Sequence, residues 1–598
     1  MLQLEKRLTQ AVSSACESLY GSRPSDTQIS IQSTRSEFQG DRTVVVFPFS
    51  RLAGKSPEET GKEIGAYLVQ QEEIVVEFQV VKGFLNLTIS DEYWAQALNR
   101  AILQKDTFGR NTPGCKSQIM VEYSSPNTNK PLHLGHLRNI FLGYSVAEIL
   151  KAAGHDVVKV QIINDRGIHI CKSMIAWKLF GKGETPTSTG EKGDKLVGRY
   201  YVSFDKQYKA EVKELMLSGT DKDTAEAQAP ILLAARDLLH KWESEDPEVR
   251  ALWSTMNGWV YDGFDYTYGE MGVDFDKLYY ESDTYLTGKS QVESGLASGA
   301  FTQRDDNSIW VDLSDVGLDE KLLLRKDGTS VYMTQDIGTA ILRFEDYPSL
   351  DRQVYTVGNE QEYHFKVLFE ILSKLGLEQA SRCHHLSYGM VELPEGKMKS
   401  REGTVVDADD IMTEMKTTAE QLARDAGKLE NIPEEDRDAL YKDVGYGALK
   451  YFLLRVDPKK SMMFDPKASI DFIGNTGPYI QFNYVRARSV LRNADIDDIA
   501  SLTPLSPVHL DDVERALLMA ALSLPSVIEE AAKSYDPSLV ANLCYDITKS
   551  YSRWYQDHPI IKEEDEAIRN VRLALCYLCS SAVKTGMSLL GVSMPERM

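Results

Sequence analysis

Cysteine is scarce in this chain. Seven residues scattered over 598 do not make the disulfide framework that staples small secreted domains. One close pair, Cys576 and Cys579 in "CYLC", has the spacing of half a zinc or redox site. No second such pair exists, and "VRLALCYLCSSAV" reads as an apolar helix burying two small residues one turn apart. No structural metal is expected. Long hydrophobic runs are missing too, which excludes a bilayer span, and the opening "MLQLEKRLTQAVSSACESLYG" is amphipathic rather than signal-like. A cytoplasmic protein without a membrane partner is expected. Basic residues are outnumbered, with 67 Lys and Arg against 89 Asp and Glu and a formal net charge of −22. That excludes a surface basic all over. It leaves nucleic acid open, because a local basic face can take phosphates while the rest stays acidic. Internal repeats and low-complexity segments are absent as well.

What is present is the composition of a globular protein, 42% hydrophobic and 26% charged, in a chain long enough for about three domains. Residues 1–110 read as a small α+β unit with a leading helix and strands in "TVVVFPF" and "FLNLTIS". The turn cluster "GRNTPGC" closes it. Residues 111–447 begin with a βαβ pattern: "QIMVEY", a helix running to Gly154, then "VVKVQII". The expected fold class is therefore α/β, with a parallel-sheet domain at its centre. Long charged amphipathic segments over about 178–265 suggest a helical insertion, and strand signals return at "SIWVDL", "RQVYTVG" and "HLSYGMVEL". From 448 to 598 the pattern is helical throughout.

The chemistry concentrates in two short stretches. "SSPNTNKPLHLGHLRN" sets His133 and His136 around Gly135, where a buried strand gives way to a helix. Two imidazoles at a helix N-terminus can donate hydrogen bonds to nucleotide phosphates, and the glycine lets a base or ribose approach the backbone. "GKMKSREG" places Lys397, Lys399 and Arg401 directly after a strand, where a basic loop can neutralise a leaving pyrophosphate. Alone, the histidines could be a metal pair or a helix cap, and the loop a solvated turn. Their order, each beside a strand, is more specific than either.

"HLGH" resembles the HIGH motif, and "KMKSR" the KMSKS loop, of the class I aminoacyl-tRNA synthetases. "VEYSSPNTNKPLHLGHLRN", "SVYMTQDIGTA", "VYTVGNEQEYHF" and the terminal "LLGVSMPERM" are similar to the arginyl-tRNA synthetase family. The resemblance implies a Rossmann-like catalytic domain, an N-terminal domain that contacts the tRNA elbow, and a helical anticodon-binding domain. It implies a monomer that uses ATP, with Mg²⁺ carried by the nucleotide, to load L-arginine onto tRNA(Arg). His133, Gly135, His136, Lys397, Met398 and Ser400 would hold ATP. Lys130, Lys397, Lys399 and Arg401 would join the histidines in catalysis. Glu122, Ser124, Asn127, Tyr332, Asp336 and Gln361 match the family's arginine pocket. There the fixed charge of a planar guanidinium calls for carboxylates. Tyr479, Gln481, Tyr484, Arg486 and Arg488 would meet tRNA.

Two stretches depart from the family pattern. The loop commonly runs "KMSTR", but here Lys399 replaces the serine and Ser400 stands where most class I enzymes carry the second lysine; Lys130 matches the lysine thought to substitute. "INDRG" replaces the commoner "GDWG", leaving Asp165 and Gly167 as expected pocket-rim residues. A decayed tRNA-binding relative, a metal hydrolase and a synthetase for lysine remain as rival readings.

Overall fold

The computed structural model describes residues 2–35, 37–392, 406–425, 432–496 and 498–598. The N-terminal unit is an antiparallel sheet in the order Ile31–Ser33, Arg42–Val45, Phe84–Ile89, Val75–Val81, with the helix Pro57–Gln71 packed on it. "TVVVFPF" is only half a strand. The ladder stops at Val45 and a helix begins at Phe47 with Pro48 in its first turn, where a missing N–H costs nothing.

The central sheet has five parallel strands in the order Cys383–Tyr388, Leu350–Gly358, Gln118–Glu122, Asp156–Ile163, Lys277–Tyr280. "QIMVE" shows no alternation because both its faces are covered, as in other parallel sheets. The chain starts at this middle strand and builds outward to Lys277–Tyr280. It then crosses back to Leu350–Gly358 on the other side. That reversal opens a crevice at the carboxyl ends of the strands, the usual place for a ligand in a sheet of this kind.

Two expectations need correction. "SIWVDL" does not rejoin the parallel sheet: Ile309–Val311 pairs antiparallel with Thr302–Gln303 and Lys321–Leu324 in a separate small sheet. The outer strand of the main sheet is instead "KLYY", too short to announce itself. The insertion is helical, and its last helix, Pro247–Met271, passes the expected end at 265, stopping at Gly272 (φ +64°).

The last third is a bundle including Gly477–Asn493, Pro537–Asp557 and Glu566–Leu589. Position 448 falls inside the continuous helix Glu434–Leu454. Cys576 and Cys579 are buried in the bundle, where desolvation pushes both thiols up. No described helix is long and apolar enough to cross a membrane.

Candidate active site

The crevice is built from the turns and helix starts at the carboxyl end of each parallel strand. Glu122 ends the middle strand, buried, and is paired with the buried guanidinium of Arg343; the Ser125 hydroxyl donates to it at 2.9 Å. Ser124 and Ser125 then turn through positive φ (+79° and +43°), unusual for residues with side chains. Asn139 holds this turn. Its Oδ1 accepts the Ser124 N–H at 2.5 Å, while its Nδ2 donates to the Thr356 carbonyl and the Tyr388 hydroxyl. One amide thus ties together the carboxyl ends of three strands. The Ser124 hydroxyl is buried against Tyr268 of the insertion at 2.6 Å, so it is not offered to a ligand as the sequence reading expects. Asn127 is exposed, and its loop runs parallel to the one at Asn164.

His133 is the N-cap of the helix Leu134–Ala152. Its Nδ1 accepts the Gly135 N–H at 3.1 Å, and His136 Nδ1 accepts the His133 N–H at 3.1 Å. The rings lie 4.0 Å apart. Burial pushes His133 down to about 3 and His136 well below the usual imidazole range, assisted by the charge of Lys130. Both rings are therefore neutral. With each Nδ1 accepting, each proton sits on Nε2, and the pair presents two N–H donors. The imidazoles thus occupy two backbone N–H groups at this helix start, leaving the ring donors rather than those amides for an anion. Gly135 leaves room for this arrangement: a Cβ there would lie 3.0 Å from His133 Cε1 and press on the ring.

Lys397, Met398, Lys399, Ser400 and Arg401 lie outside the described residues. Their flanks are placed. Val391–Glu392 pairs with Met462–Met463, and Asp407 forms a bridge with His133 while the Ala408 N–H donates to the Leu132 carbonyl at 3.0 Å. The segment after the basic stretch is thus tied to the entrance of "HLGH".

Across the crevice, the helix Tyr332–Asp346 begins with Tyr332, 70% exposed. Asp336 stands one turn later on the same face. It is not the cap, which is Val331, and its Oδ2 meets His364 Nε2 at 2.6 Å. Gln361 is exposed just before the helix that carries His364. Glu281, missed in the sequence, is buried at the start of the helix Glu281–Ala297; burial pushes its carboxyl up to about 7 against the pull of Arg166. Gly288 and Gly338 let these two helices cross in backbone contact: a Cβ on Gly338 would lie 2.4 Å from the Gly288 nitrogen. Asp165 is not a pocket rim. It is buried, accepting from Tyr261 (3.0 Å) and from the Ser282 hydroxyl (2.7 Å) and N–H (2.9 Å), so it joins its loop to the insertion. Gly167, at φ +98°, starts the helix Ile168–Phe180.

In the bundle, two expected contact residues belong to the interior. Gln481 is fully buried, donating to the Asp443 and Ser593 carbonyls. The Tyr484 ring is buried with its hydroxyl donating to Glu596 at 2.8 Å, so it offers no stacking face. Arg488 also pairs with Glu596. Arg486 stays half-buried over Phe482 and Tyr555, and Tyr479 stays half-buried beside Tyr545. Phe482 helps line an apolar cavity of about 340 Å³ with Leu440, Tyr441, Phe472 and Met598.

Three family models match the chain: "tRNA synthetases class I (R), catalytic domain" over residues 97–465, "DALR anticodon binding domain" over 480–598, and "Arginyl tRNA synthetase N terminal domain" over 3–89. The chain is 53% identical to the arginine–tRNA ligase of Bacteroides thetaiotaomicron over 599 residues, covering all of both chains. It is equally similar to that of Porphyromonas gingivalis over 600 residues, with the same coverage. The fold matches Thermus thermophilus arginyl-tRNA synthetase with a TM-score of 0.78 at 24% identity, covering 100% of each chain. It matches the Plasmodium falciparum enzyme with a TM-score of 0.76 at 18% identity, covering 100% of this chain and 99% of that one.

Proposed function

Because the chain belongs to the arginyl-tRNA synthetase family of class I, we propose that it activates L-arginine with ATP and loads it onto tRNA(Arg). A carboxylate oxygen of arginine attacks the α-phosphorus and pyrophosphate leaves. A ribose hydroxyl of the terminal adenosine then attacks the acyl carbon, and AMP leaves. The observation that carries this reading is the imidazole pair, in which each Nδ1 accepts a backbone N–H and so leaves the ring proton on Nε2 as a donor. Neutral donors can bind a phosphate without yielding a proton, so they fit an electrostatic role rather than acid catalysis.

Lys130 and the segment 397–401 supply positive charge to the departing pyrophosphate, with Met398 and Ser400 beside the nucleotide and Mg²⁺ arriving with ATP. Glu122 and Asn127 face the α-amino end of arginine. Asp336, set by His364, and buried Glu281 meet the guanidinium, with Tyr332 and Gln361 at its edges. The bundle takes the anticodon loop, with an unstacked base entering the cavity at Phe482 and a phosphate at Arg486. Residues 1–110 meet the tRNA elbow. The enzyme acts as a monomer in the cytoplasm.

Pyrophosphate exchange into ATP, run with tRNA and each amino acid in turn, tests this reading. Exchange is expected with arginine. Exchange with another amino acid instead, or with none, would overturn it.

A further inference from the structure

Arg166 lies on the loop leaving the strand Asp156–Ile163, at the same sheet edge as the candidate pocket. Its side chain is only 8% exposed, and it reaches into the insertion. One Nη2 donates to Glu243 at 3.0 Å, and the guanidinium carbon lies 4.0 Å from the Tyr285 ring centroid and 5.2 Å from that of Trp242. Trp242 is itself backed by Arg250 at 3.6 Å. A planar guanidinium stacked on an aromatic ring and paired with a carboxylate has little freedom left.

The clamp has a purpose beyond packing because of what lies next to it. Tyr285 stands four residues after Glu281 on one helix, hence on the same face. The charges acting on Glu281 are Arg166, Asp165 and Asp336, and only the first favours its ionised form; Gln335 adds a hydrogen bond. Asp165 is held by Tyr261 and Ser282, Asp336 by His364, and Arg166 by Glu243. A carboxyl buried near two others needs a fixed cation if it is to ionise near neutral pH.

We propose that Arg166 is a positioning residue for the amino-acid pocket, clamped by the insertion so that its fixed charge stands on the helix face that carries Glu281, which with Asp336 receives a cationic side chain. This rests on the assignment of Glu281 and Asp336 to the guanidinium. It also gives the insertion a part in amino-acid selection, because Glu243 and Trp242 belong to its helix Pro230–Glu243.

The test is the pH dependence of the arginine KM in tRNA charging by the full chain. With the cation Glu281 is raised to about 7 and is partly ionised at neutral pH; without it the proton is held more firmly and leaves only as the medium turns alkaline. Arg166→Met should therefore raise the arginine KM about fivefold at pH 7, the loss of ionised Glu281 when its carboxyl moves up by about one pKa unit. The ratio to the unsubstituted enzyme should fall towards one by about pH 9, with the ATP KM steady throughout. Arg166→Lys keeps the charge and should keep the parent pH profile even if stacking is weakened. A pH-independent rise in Arg166→Met would mean packing alone and overturn the proposal, as would an unchanged or lowered KM. So would a shifted profile in Arg166→Lys. Glu281→Gln separates the two readings. If it leaves the arginine KM untouched, the pocket assignment itself fails. If it raises that KM while Arg166→Met keeps the parent profile, only the role of Arg166 fails.

Discussion

His136 Nδ1 accepts the backbone N–H of His133 at 3.1 Å, so the second imidazole of "HLGH" holds the residue that bears the first. Each ring is oriented by a backbone donor two or three positions away, which fixes Nε2 as the nitrogen that carries the proton. Removing one ring should thus disturb the other. His136→Ala should lower the maximal rate of pyrophosphate exchange by about 10²-fold or more, as for loss of an oriented transition-state donor, with tRNA affinity unchanged. His136→Gln, which keeps a donor near the Nε2 position, should recover part of the rate. Stopped-flow or exchange kinetics with a parallel tRNA titration measure both, and full charging activity in the alanine variant would remove the pair from the mechanism.

The neutral imidazoles also predict how stability varies with pH. His133 is held down to about 3 by burial, against an ordinary value of 6.5, and His136 is shifted the same way. The unfolded chain therefore binds protons that the folded chain refuses. Stability from these groups is complete above about pH 6.5 and is lost as pH falls from there towards 3. His133→Asn should flatten the acid limb of urea midpoints against pH by up to one proton. An unaltered acid limb would mean that His133 is charged in the fold.

Beneath the pocket, Glu122 and Arg343 form a buried ion pair. Breaking it from one side leaves a charge without its partner, which typically costs about 3–5 kcal/mol. Arg343→Met should lower the denaturation midpoint by that order. A loss below about 1 kcal/mol would show that Glu122 finds another cation or a proton.

The bundle predictions depend on exposure. Tyr484→Phe removes a hydroxyl bonded to Glu596 and should leave tRNA affinity intact while costing about 1 kcal/mol of stability. Phe482→Ala should weaken tRNA binding by about 1–3 kcal/mol if a base enters the cavity it lines. Arg486→Ala should reduce the salt dependence of binding by about one phosphate contact. Binding titrations over a salt series read all three, and a tRNA defect confined to Tyr484→Phe would reverse this assignment.

How far these features were legible in the sequence depends on what each one needs. The βαβ start, the place of "HLGH" and the helical last third come from local periodicity, which tertiary structure preserves. "SIWVDL" misled because strand pattern does not tell which sheet a strand joins. Tyr484 and Gln481 misled because their helix is covered on several sides, by Glu596 and by the carbonyls of Asp443 and Ser593, so no polar residue there marks an outer face. Glu281 did leave a signal. Like Glu122 after "QIMV" and Asp165 after "VQIIN", it is an acid directly after an apolar strand, in "KLYYES". Only the parallel order of those strands shows that the three carboxylates gather at one edge.

The central claim is that a pair of carboxylates, Asp336 and Glu281, reads the charge of the amino-acid side chain. Citrulline has nearly the shape of arginine but a neutral ureido group, so competition between the two for charging of tRNA(Arg) isolates charge from shape. We predict charging with arginine and strong rejection of citrulline, on the order of 10²-fold or more, because a neutral ureido group leaves the two carboxylates without the cation they are placed to meet. Asp336→Asn should erode that preference by weakening arginine while sparing citrulline. Comparable use of both by the unsubstituted enzyme, or a preference unmoved in Asp336→Asn, would contradict it.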